Sequence, residues 1–340
     1  MSKILNKETQ KLFLDAGIHV VHGVHRPLKG EVPEILQIAK PHCLYFAGFI
    51  DDIEQTKQDI ALIKQEYGDD KRWHILDCES KFVNRTKGKP GFEGVLEYTA
   101  PEMTSHGVEF VRREARKLGD ILVYVGINMV FAPCFDLDLG SSIISKYGRS
   151  YSSNPEVAYI MATAFAEELE KLGIRTVAKH FPGHGSANGD SHLGTVYADP
   201  TSFDAELQPF KKSLNKGMIK SYMLGHVIYP SLGSDLPASV CPKVFDLFSK
   251  SGSKGDEVLF SDSIFMGAVT NMGLDEYVSR FFKYSGDIII FDKPDNQYVQ
   301  KTFGMSLLEA YEVIAKAVEQ EKTNRQRIEN VINLGNYIEV

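Results

Sequence analysis

Thr176-Val177-Ala178-Lys179-His180-Phe181-Pro182-Gly183-His184-Gly185 begins as a short β-branched, apolar run and ends in proline and glycine. It therefore reads as a strand that delivers Lys179 and His180 to its C-terminal tip and then breaks into a loop. The loop continues to Asp190-Ser191-His192. An Asp and a His two residues apart on a loop can hydrogen-bond, so that the carboxylate sets the imidazole's tautomer and raises its basicity. Three histidines, a lysine and a carboxylate between 179 and 192 are more polar chemistry than folding asks of a strand end. Pro182, Gly183, Gly185 and Gly189 also make the loop a candidate for mobility.

Seven further runs of the same kind lie outward from this one, at Ile18–Val24, Cys43–Phe49, Trp73–Asp77, Met129–Phe135, Ser221–Val227, Glu257–Ser261 and Asp287–Phe291. Amphipathic stretches separate them. One spans Pro155–Leu172, with Val157, Ile160, Met161, Ala164, Phe165 and Leu169 at helical spacing and Asn154-Pro155 as N-cap and first-turn proline; another runs from Phe203 to Lys216, opening on Ser202 or Asp204. Eight alternating βα units predict an α/β fold, a closed (β/α)8 TIM-type barrel, in a single domain over residues 1–340. Polar residues then fall at strand C-termini, the face where barrel enzymes keep their sites: Asp77, Asp136, Asp138, Lys179, His180, His226 and Asp262. Asp138 reads as a helix N-cap. Asp262, between the buried run Val258–Ser261 and the apolar Ile264-Phe265-Met266, is the best carboxylate candidate for chemistry.

Composition removes several function classes. The chain of 340 residues is 43% hydrophobic and 24% charged, with a formal net charge of −7; it offers no basic stripe for phosphate neutralisation, so no nucleic-acid partner is expected. Arg112-Arg113 and Lys211-Lys212 read as solvated helix faces. Residues Met1 to Lys11 show no signal-peptide core, and no run approaches the roughly 20 apolar residues of a membrane span; no membrane association and a cytoplasmic location are the expectation. Cys43, Cys78, Cys134 and Cys241 form no CxxC pair or zinc spacing and read as reduced, mostly buried thiols. Pro182 and Gly183 disfavour the helix that would turn His180 and His184 into paired metal ligands. No Walker-type phosphate loop, dinucleotide fingerprint or serine-hydrolase elbow occurs. No cofactor and no metal are expected.

The chain resembles glycoside hydrolase family 3, and within it the single-domain bacterial β-N-acetylglucosaminidases. The resemblance rests on Lys179–Gly185 with Asp190-Ser191-His192, on Phe131–Asp136, Tyr147-Gly148-Arg149-Ser150-Tyr151, His226-Val227-Ile228-Tyr229, and Phe260-Ser261-Asp262 with Met266. It implies a retaining exo-β-N-acetylglucosaminidase acting on small cell-wall or chitin-derived saccharides. Asp262 would be the nucleophile, His192 the acid/base and Asp190 its orienter, with Asp77, Arg85, Arg149, Lys179 and His180 contacting sugar hydroxyl and acetamido groups. His226, at the sixth strand's tip, is counted with these substrate-binding residues. One segment departs from the family, which usually carries Asp-His-Glu-Gly-Gly-Arg-Val-Gln-Arg where this chain reads Asp77-Cys78-Glu79-Ser80-Lys81-Phe82-Val83-Asn84-Arg85. Losing both glycines changes how closely the backbone approaches the sugar. Competing readings are a β-glucosidase or β-GlcNAc phosphorylase on the same scaffold, a catalytically silent sugar-binding barrel, and a metal-dependent barrel hydrolase. Intact Asp262, Asp190 and His192 argue against the silent barrel.

Overall fold

The computed structural model describes residues 7–24, 28, 30–46, 53–68 and 72–321. Among these, eight strands close a parallel barrel: β1 (Val20–Gly23), β2 (Cys43–Tyr45), β3 (Trp73–Leu76), β4 (Met129–Val130), β5 (Arg175–Phe181), β6 (Ser221–Leu224), β7 (Val258–Ser263) and β8 (Ile288–Phe291). Each pairs with its sequence neighbour, and β1 with β8 in the register Val20↔Ile289 completes the ring. The expected strands all appear, six of them shorter than their apolar runs, while β5 and β7 run one or two residues past the expected strand ends; residues 47–49, the end of the second expected strand, lie outside the described residues.

Alternation along the strands divides the apolar residues into two cores. Val21, Tyr45, Trp73, Ile75, Met129, Phe131, Val177, Met223, Phe260 and Ile290 point inward and fill the barrel. Their neighbours, among them Leu44, Leu76, Val130, Ala178, Leu224 and Ile289, point outward under the helices. The barrel is thus a packed core whose polar end groups are confined to the rim.

The helix Pro155–Lys171 opens as expected, with the Asn154 side chain accepting from the N–H groups of Glu156 and Val157. Its buried face differs from the expected one. Ala158, Ala162, Thr163, Ala164, Phe165, Ala166 and Leu169 are buried while Ile160 is exposed, because small alanines let the helix approach its neighbours more closely than a branched side chain would. Helix Phe203–Lys216 has the expected bounds, but Ser202 makes no cap with its side chain; the hydroxyl goes to Glu206 at 2.8 Å. Asp138 caps no helix: it lies exposed in an irregular segment, its N–H bonded to the Ser152 carbonyl. No helix among the described residues is long and apolar enough to cross a membrane.

Candidate active site

Two local irregularities bring the polar tips of β5 and β7 into the barrel mouth. On β5 the pairing with β6 runs Lys179↔Met223 and then Phe181↔Leu224, so His180 is an extra residue and two consecutive side chains are re-aimed. On β7 the pairing with β8 jumps from Phe260↔Ile288 to Ser263↔Ile290, which makes Asp262 part of a second bulge. Bulges trade ladder hydrogen bonds for side-chain direction, and both of these sit where the sequence places its chemistry.

The floor of the site is a network of paired charges, buried or half-buried except for the exposed Arg85. Lys179 Nζ lies 2.9 Å from Asp77 Oδ1 and 2.5 Å from Glu79 Oε1. Arg149 grips Glu79 in bidentate fashion, with Nε and one terminal nitrogen each 2.7 Å from a carboxylate oxygen. Arg85 approaches Asp77 at 3.6 Å, and the Tyr45 hydroxyl donates to the same carboxylate. Burial alone would push the Asp77 carboxyl up, but Lys179 and Arg85 overrule it and hold the group well below the usual range. Burial likewise opposes the charge on Lys179, and Asp77 and Glu79 outweigh it. The network is ionised, and each of its charges has a partner of opposite sign.

His180 stands between this floor and Asp262. Its Nδ1–H donates to Asp136 at 2.6 Å and its backbone N–H to the other oxygen at 3.0 Å, where the His184 N–H also binds at 2.8 Å. Asp136 is fully buried; burial works against its charge, and the charge and hydrogen bonds of His180 prevail and depress its pKa. The remaining nitrogen, Nε2, lies 4.0 Å from Asp262 Oδ2 and 3.4 Å from an Arg149 nitrogen. Asp262 accepts from the Ser263 N–H at 2.7 Å. Burial would raise its pKa, but His180, His226 and His192 bring it below the ordinary value, so it is a carboxylate at neutral pH.

Asp190 and His192 form the expected dyad, Nδ1 to Oδ1 at 2.7 Å, with the His192 N–H on the same oxygen at 2.9 Å. These bonds outweigh partial burial and lower the Asp190 pKa. The His192 side chain is 60% exposed and, like Asp262, lines a cavity of about 450 Å³ with Asp77, Arg85, Arg149, Lys179 and His180. Its loop is anchored: the carbonyls of Ser191 and His192 accept from the N–H groups of Ala268 and Gly267, both at 3.0 Å. A Cβ on Gly267 would come within 2.6 Å of the Leu193 backbone, so glycine permits the docking of the β5 loop on the β7 loop.

His226 stands elsewhere than expected. It is buried, does not line the cavity, and places Nε2 3.0 Å from the Ser263 carbonyl and Nδ1 2.8 Å from Ser239 Oγ. Burial lowers its pKa and keeps the ring neutral. The carbonyl only accepts, so Nε2 carries the proton and Nδ1 accepts from Ser239. His226 supports the backbone beside Asp262.

Four carboxylates were not singled out for a role by the sequence: Glu79 of the site floor, Asp136, Asp292 and Glu206. Asp136 had a visible signal, an Asp at the end of an apolar run. Asp292 follows β8 and accepts from Ser263 Oγ at 2.5 Å. Glu206 had no signal at all: it lies in the first turn of a helix yet is fully buried, receiving the N–H groups of Gly185 at 2.7 Å and Ser186 at 3.3 Å.

A buried trio, Cys134, Asp136 and His180, brings three possible metal-ligating atoms within 4.8 Å of one another. Its donor set does not suit a cation, since Asp136 is spent on His180 and His184 and burial holds the Cys134 thiol far above its ordinary pKa, hence protonated. The His180 and His184 rings meet edge to face, 5.6 Å apart.

The sequence profile of the glycosyl hydrolase family 3 N terminal domain matches residues 96–333. The chain belongs to this family. Among similar relatives, a beta-hexosaminidase of Haemophilus influenzae is 32% identical over 169 residues, 49% of this chain and 47% of the relative. One from Neisseria gonorrhoeae is 34% identical over 203 residues, 56% and 55% of the two chains. The match thus spans about half the length of these relatives. The family 3 barrel is also found in the β-N-acetylglucosaminidase of a Paenibacillus species, with a TM-score of 0.79 at 22% identity over 98% of this chain and 62% of that one. The β-N-acetylhexosaminidase of Beutenbergia cavernae superposes with a TM-score of 0.80 at 18% identity, covering 96% and 97%.

Proposed function

We propose that this family 3 barrel, residues 1–340 acting as one catalytic unit, is a retaining exo-β-N-acetylglucosaminidase that releases terminal GlcNAc from small saccharides. The observation that carries the reading is the presence, in one cavity, of an ionised Asp262 on the β7 bulge and an Asp190–His192 dyad on the docked β5 loop. The beta-hexosaminidase relatives point to the sugar.

Glycosidic cleavage needs a proton for the leaving oxygen and negative charge beside an oxocarbenium-like carbon. Asp262 attacks the anomeric carbon and forms a glycosyl-aspartate as the C–O bond to the leaving group breaks. Protonated His192 gives its Nε2 proton to the departing oxygen, and Asp190 stabilises the imidazolium and fixes Nδ1–H. The neutral His192 then takes a proton from water, which attacks the same carbon, returns Asp262 as a carboxylate and leaves the configuration retained. Asp77, Arg85, Arg149, Lys179 and His180 bind hydroxyl and acetamido groups; a site built of paired polar groups rejects sugars that leave those groups unmatched. His226 positions the Asp262 backbone.

Four free, buried cysteines fit a reducing compartment, and we place the enzyme in the cytoplasm, in the recycling of cell-wall saccharides. The test is a panel of 4-nitrophenyl glycosides. GlcNAc turned over well ahead of glucose is expected; preference for glucose, or no turnover of any sugar, overturns the reading.

A further inference from the structure

Five large aromatic side chains are exposed among the described residues, Phe82, Tyr124, Tyr147, Tyr197 and Tyr298. Three of them, Phe82 at 53%, Tyr147 at 43% and Tyr298 at 39%, line the cavity that holds Asp262. Each is attended by a lysine. Lys87 Nζ lies 5.0 Å from the Phe82 centroid, Lys146 5.5 Å from that of Tyr147, and Lys293 4.7 Å from that of Tyr298. Exposed rings with cations over them are held in place without being buried.

Phe82 and Tyr147 are also tied to each other through the site floor. Phe82 lies in the turn of a small hairpin between Cys78–Ser80 and Val83–Asn84; Tyr147 lies two residues before Arg149. Glu79 of the hairpin receives the bidentate Arg149 pair, and Ser80 Oγ donates to the Gly148 carbonyl at 3.3 Å. The two rings therefore sit on segments locked together by a buried ion pair and a hydrogen bond. Core packing does not explain an exposed phenylalanine in a turn. The segment that sets Phe82 at the mouth is the one that departs from the family's glycine-containing pattern. A pyranose ring carries apolar C–H faces that pack on aromatic rings, whereas a small alcohol has no such face.

Building on the glycosidase reading, we propose that Phe82 and Tyr147 form a leaving-group subsite that stacks the pyranose ring attached to the scissile oxygen. This subsite selects saccharide leaving groups over small alcohols. The charged floor recognises the first sugar by hydrogen bonds; the rim recognises the second by its shape and apolar faces.

The test compares the disaccharide N,N′-diacetylchitobiose with methyl N-acetyl-β-glucosaminide, which share the first ring and differ in the second. In Phe82→Ala and Tyr147→Ala, kcat/KM for the disaccharide is expected to fall about five- to tenfold, with the methyl glycoside changed less than about twofold. Phe82→Tyr, which keeps the ring, should retain the wild-type ratio. Equal losses on both substrates, or no loss on either, overturn the subsite. If the wild-type protein turns over neither substrate, the glycosidase reading fails, and titration of an Asp262→Asn background decides the subsite alone. There, Phe82→Ala must weaken disaccharide binding while leaving GlcNAc binding unchanged; identical affinities with and without the ring overturn it.

Discussion

Asp136 takes two hydrogen bonds from His180, at 2.6 Å from the ring Nδ1 and 3.0 Å from the backbone N–H, and so points Nε2 at Asp262, 4.0 Å away. One buried carboxylate fixes the bulged residue of β5 and supports the electrostatics of the residue on β7. Its folded pKa is depressed, so the stability it contributes is present above the unfolded carboxyl value, near 3.9, and is lost as pH falls through the folded one. Asp136→Asn should therefore cost roughly 3 kcal/mol at neutral pH and flatten the loss of stability below about pH 4. Urea unfolding across pH checks both; an unchanged acid limb would remove the linkage.

With Asp262 as the proposed nucleophile, Asp262→Asn should reduce turnover by at least about a thousandfold while sugar binding persists, because a nucleophile acts chiefly in the transition state. Mass spectrometry after a slow fluorosugar substrate should place the adduct on the peptide containing Asp262. An adduct elsewhere moves the nucleophile.

His192→Ala should cost about a hundredfold or more on saccharides and far less on aryl glycosides, whose phenolate departs with little need of a proton. Asp190→Asn should give a smaller loss of the same shape, since Asp190 orients the imidazole without carrying the proton. Equal losses on both substrate types would contradict the proton-transfer role.

Glu206→Ala should destabilise the protein by roughly 1 to 3 kcal/mol, because it strips the buried N–H of Gly185 and the half-buried N–H of Ser186 of their acceptor. Activity should fall with it, as the dyad loop loses its anchor at one end. Thermal unfolding and kcat measured on the same variant check this; a stable variant with full activity would show that the docking on Gly267 suffices.

The barrel and the polar tips of its strands were legible in the chain because both are written in local patterns. Short apolar runs ending in Asp77, Lys179-His180 and Asp262 mark parallel strands with polar tips, and Asp190 with His192 sits close enough in sequence for its hydrogen bond to be foreseen. Local patterns also misled: Ile160 falls on the expected apolar stripe but is exposed, and His226 shares the strand-end pattern of the cavity residues but lies behind Asp262. What depended on the tertiary structure is contact between residues far apart in the chain. The Lys179–Glu79–Arg149 network, Asp136 under His180, and the shared mouth of Phe82 and Tyr147 join separate βα units, and Glu206 under Gly185 folds the β5 loop back on its own helix. A buried carboxylate and a solvated one look alike in sequence. Only the closing of the ring decides which is desolvated, and desolvation requires a partner and fixes its direction.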